Sequence, residues 1–172
     1  LALDGLKATG TILVLAGDTP MLTSDSLSQL LEGHHAGGFT ASVLTAEHPE
    51  PTGYGRIIRG DDGSLLRIVE EKDADEFEKA IEEINSGVYA FDAVKLAGAI
   101  GKLRNDNAQG ELYLTDVIEI MRKEGASIAA AMRLRPSFIP QCRAMFSITT
   151  MASSTRMPME KISANRLTRF RV

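Results

Sequence analysis

The chain has 172 residues, of which 44% are hydrophobic and 24% are charged, a composition typical of one globular domain with a real core. Its only cysteine, Cys142, excludes a disulfide framework and favours a reducing compartment, so we expect a cytoplasmic protein. No apolar run approaches the roughly 20 residues that a membrane helix needs, and we expect no membrane partner.

Charge divides the chain into two parts. Residues 1–132 carry 11 basic and 22 acidic side chains, whereas residues 133–172 carry 8 basic side chains and one acidic one, and all 15 glycines lie in the first part. Such a break is typical of a domain edge or of a disordered basic arm. The second part contains no nucleic-acid-binding motif, so no nucleic-acid partner is expected.

The elements in chain order begin with a strand, a helix and a second strand. Residues 11–16 form a short apolar run rich in β-branched side chains, which predicts a strand buried on both faces. A helix follows, capped by Thr23 or Ser24 and closed by a Gly-Gly pair. Residues 39–46 predict the next strand, which completes a βαβ unit and favours a parallel sheet.

The rest of the sequence predicts further strands and helices. The dipeptide Asp62-Gly63 predicts a hairpin between two strands. Residues 73–83 predict an acidic helix with Phe77 on its apolar stripe. The other predicted elements are strands at 56–59, 65–70, 87–91 and 127–132, a helix at 92–103 capped by Asp92, a loop at 105–111, and a helix from Thr115 or Asp116 to Lys123.

A carboxylate, Asp18, follows the first predicted strand within Ala16-Gly17-Asp18-Thr19-Pro20. Ligands of open α/β sheets bind at the carboxyl ends of strands, and Gly17 lets the backbone approach a ligand closely. A carboxylate at this place can hold Mg²⁺ beside phosphates. A turn cap before Pro20 explains the same residues equally well.

Three later segments supply further polar candidates. The Gly-Tyr-Gly sequence ending at Gly55 could wrap a sugar or a phosphate, or form an ordinary turn. Glu70 follows a predicted strand and could accept hydrogen bonds from sugar hydroxyls, while the amide of Asn85 can both donate and accept. Singly, each is equally well explained as a polar surface residue. The histidines and the cysteine form no zinc pattern.

The order of these segments is more specific than any one of them. The segments are Gly-Asp-x-Pro, Pro-Thr-Gly-Tyr-Gly-Arg-Ile, Val-Glu-Glu-Lys-Asp-Ala, Glu-Ile-Asn-Ser-Gly-Val-Tyr and Asn-Ala-Gln-Gly-Glu-Leu-Tyr-Leu-Thr-Asp. Over residues 10–132 they resemble the uridyltransferase domain of the bacterial bifunctional N-acetylglucosamine-1-phosphate uridyltransferase/glucosamine-1-phosphate acetyltransferase family.

The resemblance implies a fold, a reaction and a set of site residues. The fold is an α/β, Rossmann-like nucleotidyltransferase domain with a mixed, mostly parallel sheet. The reaction joins UTP and N-acetylglucosamine 1-phosphate, with Mg²⁺, into UDP-N-acetylglucosamine and pyrophosphate for peptidoglycan and lipopolysaccharide biosynthesis. The implied residues are Asp18 as the catalytic Mg²⁺ ligand, Ala16 and Gly17 beside the uridine, and Gly55, Glu70, Asn85 and Thr115 around the sugar.

The chain also departs from the family pattern. The family's Gly-rich nucleotide loop, its Gly-Val-Asn segment with a second metal ligand, and its left-handed β-helix domain find no counterpart in the sequence. We therefore expect residues 1–132 to be a partial uridyltransferase domain that lacks its N-terminal part and is inactive alone. We expect residues 133–172 to be a poorly ordered basic tail from a shifted reading frame or an unrelated fusion. The full-length protein could be a homo-oligomer.

Three alternatives stay open. The chain could come from a nucleotidyltransferase for another sugar 1-phosphate, which sugar preference would reveal. It could be a non-catalytic module that binds a nucleotide sugar without needing a metal. It could also be a gene product without function, which would bind no nucleotide sugar.

Overall fold

The computed structural model describes residues 9–16 and 22–134, with the backbone alone for residues 131–134. Predictions for residues 135–172 lie outside this range. The elements are β1 (Thr11–Leu15), α1 (Ser24–Ala36), β2 (Ala41–Glu47), β3 (Arg56–Arg59), β4 (Leu65–Val69), α2 (Glu76–Lys79), β5 (Glu83–Asp92), α3 (Ala93–Ile100), α4 (Asp116–Lys123) and β6 (Ile128–Leu134). No helix in the described ranges has the length and apolarity that a membrane crossing requires.

Local signals place several of these boundaries. The Thr23 hydroxyl caps α1 by accepting a hydrogen bond from the Ser26 N–H at 3.1 Å. The Asp92 carboxylate caps α3 through the Lys95 N–H at 2.9 Å. Gly63, in the turn between β3 and β4, has a φ of 77°, which favours glycine. The predicted caps and hairpin are therefore confirmed.

The sheet is mixed, but its described pairings are mostly antiparallel. Its strand order is β4-β3-β5-β2-β6, and β1 pairs with β5. Among the described strands, β2 and β6 alone pair in parallel. The α/β class is confirmed, whereas the expectation of a mostly parallel sheet is corrected. The reason is β5, which lies between β1 and β2 and runs antiparallel to both, so the strands of the βαβ unit do not touch.

The core has two layers because successive side chains of a strand point to opposite faces. Val88 and Ala90 of β5 pack on one face with Leu30 of α1. Tyr89 and Phe91 pack on the other face, which α3 and α4 cover. Helices thus cover both faces of the sheet and leave the ends of its strands as the places where polar residues can gather.

The predicted acidic helix over residues 73–83 is wrong in extent. Only Glu76–Lys79 is helical, and Phe77, expected on the buried stripe, is 88% exposed. Glu83 and Ile84 belong instead to β5, where Ile84 pairs with β2 and β3. Cross-strand pairing in the middle of the sheet outweighs the helical periodicity of this segment.

Candidate functional site

The site forms where β5 changes its neighbour along one edge. Near Asn85 this edge faces β3, and the Asn85 N–H donates to the Gly55 carbonyl at 2.8 Å. From Val88 onwards it faces β1, and the Ala16 N–H donates to the Gly87 carbonyl at 3.0 Å. The end of β1 and the start of β3 therefore meet at the same short stretch of β5. Such points, where neighbouring strands diverge, are common ligand sites in α/β sheets.

A bulge in β5 shapes the same stretch. On its other edge Leu44 pairs with Val88 and Thr45 with Asn85, so Ser86 and Gly87 have no partner in β2. The Ser86 hydroxyl donates to the Leu44 carbonyl at 2.6 Å, and Gly87 has a φ of 75°. Bulges bend a strand and re-aim its side chains, here beside Asn85.

Four predicted residues come together around a buried carboxylate. The Thr115 hydroxyl donates to Glu70 Oε1 at 3.0 Å. Glu70, Asn85 and Thr115 are 6%, 1% and 4% exposed. A Cβ built on Gly55 would lie 3.2 Å from Ile68 Cγ2 and 3.6 Å from both Glu70 Oε1 and Asn85 Cβ, so a side chain here would crowd the cluster. The sequence separates these residues by up to 60 positions, and the fold makes them neighbours.

Thr115 stands at the N-cap position of α4 but makes no capping hydrogen bond. A threonine at this position ordinarily bonds a backbone N–H of the first turn. Here its hydroxyl donates to the Glu70 carboxylate instead. A carboxylate in so buried a place is costly unless it accepts hydrogen bonds, and Thr115 supplies one of them.

Sequence reasoning missed one member of the cluster, Tyr89. The Asn85 amide Nδ2 donates to Tyr89 Oη at 2.6 Å, while Asn85 Oδ1 accepts from the Gly87 N–H at 3.1 Å. These two bonds fix the orientation of the amide. Burial, and then the negative charge of Glu70, raise the pKa of the Tyr89 phenol, which stays neutral at physiological pH. The available signal was spacing, because residues four apart on one strand share a face.

The loop before α4 is tied to the same end of the sheet. Asn107 Oδ1 accepts from the backbone N–H groups of Gln109 and Glu111, and the Ala108 N–H donates to Asp73 Oδ1 at 2.8 Å. These contacts give Asn107 a structural role in the loop. They also hold the segment that leads into Thr115.

Two predicted site residues lie outside the described residues, namely Gly17 and Asp18. Their assignment stays a prediction. Ala16, the last described residue before them, adjoins Gly87 at the strand junction. Within residues 9–16 and 22–134, no group of three or more His, Cys, Asp or Glu side chains is placed to hold a metal ion. The prediction of Mg²⁺ therefore depends on Asp18 and on ligands that phosphates would supply.

Comparison with known proteins agrees with this architecture. Residues 1–135 match a family model described as nucleotidyl transferase. The chain belongs to this family.

Curated relatives extend the comparison. Proteins named bifunctional protein GlmU are 55% identical over 121 residues in Lactococcus lactis subsp. lactis, 49% over 132 residues in Caldanaerobacter subterraneus subsp. tengcongensis and 53% over 130 residues in Corynebacterium efficiens. The matches cover 70%, 77% and 75% of this chain, and 26%, 29% and 27% of those proteins. The chain thus spans between a quarter and a third of their length. The predicted resemblance is confirmed.

A solved structure shares the fold. It comes from Bacillus anthracis and is described as a glucose-1-phosphate thymidylyltransferase in complex with a sucrose. It matches with a TM-score of 0.58 at 19% identity, over 90% of this chain and 61% of that one. At this identity the likeness supports the architecture alone.

Proposed function

We propose that the chain carries the sugar-binding side of a nucleotidyltransferase site. The proposed reaction of the whole protein forms UDP-N-acetylglucosamine and pyrophosphate from UTP and N-acetylglucosamine 1-phosphate. The observation that carries the proposal is the buried carboxylate of Glu70, which Thr115 hydrogen-bonds at 3.0 Å beside Asn85 and Gly55. The similarity to relatives named bifunctional protein GlmU supports the same reaction class.

Glu70 has the chemistry to recognise a sugar. A carboxylate can accept about four hydrogen bonds, so Glu70 has the chemistry to accept from sugar hydroxyls as well as from protein groups such as the Thr115 hydroxyl. Hydrogen bonds to a charged group contribute about 1.5–3 kcal/mol each. A hydroxyl-bearing ligand would thus bind tightly to a site that holds a buried carboxylate in one orientation.

Asn85 is the proposed second anchor. An amide has two donor hydrogens and an oxygen with two lone pairs, and its bonds with Tyr89 and Gly87 use one donor and one lone pair. One donor and one acceptor can therefore serve the ligand. Gly55 lies beside both Asn85 and Glu70, and a side chain at this position would come within contact distance of both residues proposed to hold the sugar.

The phosphate chemistry is proposed to lie beside Ala16. Asp18 is two positions after Ala16, and two residues span at most about 7 Å. Mg²⁺ bound by Asp18 and by phosphate oxygens would neutralise charge that develops during phosphoryl transfer. The protein's own contribution is then to orient the sugar phosphate for attack, which is catalysis by positioning and electrostatics.

The domain organisation is proposed on the same basis. Residues 1–132 would form the partial uridyltransferase domain, and residues 133–172 a basic tail of separate origin. The single cysteine supports a cytoplasmic location. Translating the gene in its other two frames near codon 133 tests the frameshift hypothesis, which fails if neither frame encodes a Gly-Val-Asn segment.

The experiment for the site is a calorimetric titration of UDP-N-acetylglucosamine into the purified chain, with Mg²⁺ and again with EDTA. Glu70→Gln and Asn85→Ala should each weaken binding by about 10- to 100-fold, the loss expected for a hydrogen bond to a charged or buried group. Asp18→Ala should abolish any difference between Mg²⁺ and EDTA. The matched control is Glu76→Gln, a carboxylate 91% exposed on α2, which should bind as the unaltered chain does.

The outcomes of the titration distinguish the proposed function from its alternatives. No heat at millimolar ligand from a chain shown to be folded would refute the proposed site. Tighter binding of UDP-glucose than of UDP-N-acetylglucosamine would indicate a nucleotidyltransferase for another sugar. Tight binding that is the same in EDTA and unaffected by Asp18→Ala would favour a non-catalytic binding module.

A further inference from the structure

A second polar feature, an ion pair, is formed by the residues that follow Gly55 and Glu70 in the chain. The guanidinium of Arg56 is buried, with 1% of the side chain exposed, and its Nη2 lies 2.6 Å from Glu71 Oε2. It also donates to the backbone carbonyls of Tyr54 and Lys79. Arginine is almost never buried to this extent without partners, so the pair is a built feature of the fold.

The pair joins the chain positions that follow two proposed site residues. Arg56 comes directly after Gly55, and Glu71 comes directly after Glu70. Arg56 also pairs with Val69 in the ladder between β3 and β4. The turn holds the other end of this hairpin closed, so the ion pair crosses its open end. The turn does not constrain the distance between Gly55 and Glu70 at this open end. The ion pair is therefore the contact that can fix this distance.

The Glu71 carboxylate also bonds the segment that precedes Gly55. Glu71 Oε2 accepts from the Gly53 N–H at 3.3 Å as well as from Arg56. Arg56 in turn bonds the carbonyl of Tyr54. Both residues just before Gly55 are thus fixed to one ion pair.

Stability alone does not account for this arrangement. Arg56 is buried whereas the Glu71 side chain is 26% exposed, and burying a charge costs free energy that an ion pair only partly returns in many proteins. Arg56 Nε is buried with no hydrogen-bond partner among the described residues, so the pair is not optimised as a network. These observations support a role for the ion pair in fixing the geometry of the open end of the hairpin.

We propose that Arg56 and Glu71 are positioning residues that set the spacing of Gly55 and Glu70 and thereby the recognition of the sugar. This inference rests on the proposed function. A misplacement of about 1 Å at a binding group can cost up to 100-fold in rate, so a small opening of the hairpin end would suffice to impair recognition.

The test compares two paired variants of the full chain. Arg56→Met with Glu71→Gln removes the charges of the proposed pair. Arg67→Met with Glu78→Gln removes a control arginine–glutamate pair of the same charges, which joins β4 to α2 and is more exposed at its arginine. Binding of UDP-N-acetylglucosamine and of UDP-glucose is measured by calorimetry, and thermal unfolding is recorded for each protein. The ratio of the two affinities is the deciding quantity, because the folded fraction cancels in it.

We expect the ratio to fall by about tenfold in the Arg56/Glu71 variant and to stay unchanged in the Arg67/Glu78 variant. An unchanged ratio in a folded Arg56/Glu71 variant would overturn the positioning role. If that variant does not fold, Glu71→Gln alone decides in the same way, with a drop of about threefold expected and an unchanged ratio overturning the role.

The parent chain separates this inference from the proposed function. If the unaltered protein binds neither ligand, or binds both equally, the proposed sugar specificity fails. Hydrogen exchange at the Asn85 N–H, which bonds the Gly55 carbonyl at 2.8 Å, then tests the positioning device itself. Faster exchange in the Arg56/Glu71 variant than in the Arg67/Glu78 variant is expected, and equal exchange in the two would refute it.

Discussion

Removing one oxygen atom from Tyr89 should reveal how firmly the Asn85 amide is held. The change Tyr89→Phe keeps the ring, which stacks on Phe91 at a centroid distance of 5.4 Å, and deletes the hydroxyl that accepts from Asn85 Nδ2 at 2.6 Å. No apolar contact of the ring is lost. The perturbation is therefore confined to one buried hydrogen bond.

The expected cost follows from the burial of both partners. A typical hydrogen bond contributes about 0.5–1.5 kcal/mol net, but a buried donor left without a partner costs about 1–3 kcal/mol. Asn85 is 1% exposed and Tyr89 is 4% exposed, so bulk water cannot readily replace the lost acceptor. We therefore expect the free energy of unfolding to fall by about 1–3 kcal/mol, the cost of a buried donor left without a partner.

The measurement is urea unfolding of four proteins, namely the parent chain, Tyr89→Phe, Asn85→Ala and the double variant. The slope of the free energy against urea should stay constant, which would show that compactness is unchanged. The two changes should couple by about 0.5–3 kcal/mol, because each removes the same bond. Effects that add to within about 0.3 kcal/mol would show that the bond does not hold the amide.

Two further predictions concern pH and backbone shape. Burial, and then Glu119, raise the pKa of Asp116 from 3.8 to about 6, so this group stabilises the fold below about pH 4 and the contribution is lost as the pH rises through 6. Because Asp116 is only half-buried, we discount the effect to about 1 kcal/mol. In urea unfolding from pH 4 to pH 7, the Asp116→Asn variant should not show the loss of stability that the parent chain shows. The same dependence of stability on pH in both proteins would contradict the prediction. Gly87→Ala should lower the free energy of unfolding by about 1–2 kcal/mol because the φ of Gly87 is 75°. Gly98→Ala, in open space on α3, should raise it by about 0.5–1 kcal/mol. Urea unfolding of both variants checks the two signs, and equal stabilities would contradict the backbone argument.

Local signals predicted much of the fold because they act within a few residues. Thr23 and Asp92 cap the helices that their side-chain chemistry favours, and Gly63 permits the turn that the hairpin needs. Each of these depends on one side chain or on one backbone angle. The order of strands in the sheet depends on pairings between distant segments, which no single window of sequence contains.

The segment around Phe77 shows the limit of periodicity. Its apolar spacing fits a helix, yet the part after residue 82 extends β5 because Glu83 and Ile84 gain cross-strand partners in β2. Phe77 is left 88% exposed on a four-residue helix. Tertiary pairing overrides a local preference that is worth only a few tenths of a kcal/mol per residue.

The convergence of the site depends on the antiparallel pairing that the sequence did not indicate for β5. The hairpin brings Gly55 and Glu70 together, because the start of β3 lies beside the end of β4. Asn85 joins them through the antiparallel pairing of β5 with β3, with Ile84 opposite Arg56. In a parallel pairing, the register that placed Asn85 beside Gly55 would carry the later part of β5 along β3 and away from β1.

Thr115 completes the cluster through the direction of α4. The Arg122 guanidinium donates to the Leu65 carbonyl at 3.1 Å, at the start of β4, while Thr115 bonds Glu70 just past the end of that strand. The helix therefore runs antiparallel to β4, and its first residues face the carboxylate. The family resemblance implied a shared role for Gly55, Glu70, Asn85 and Thr115, and the antiparallel directions of β3, β4, β5 and α4 explain how residues so far apart in the chain reach one place.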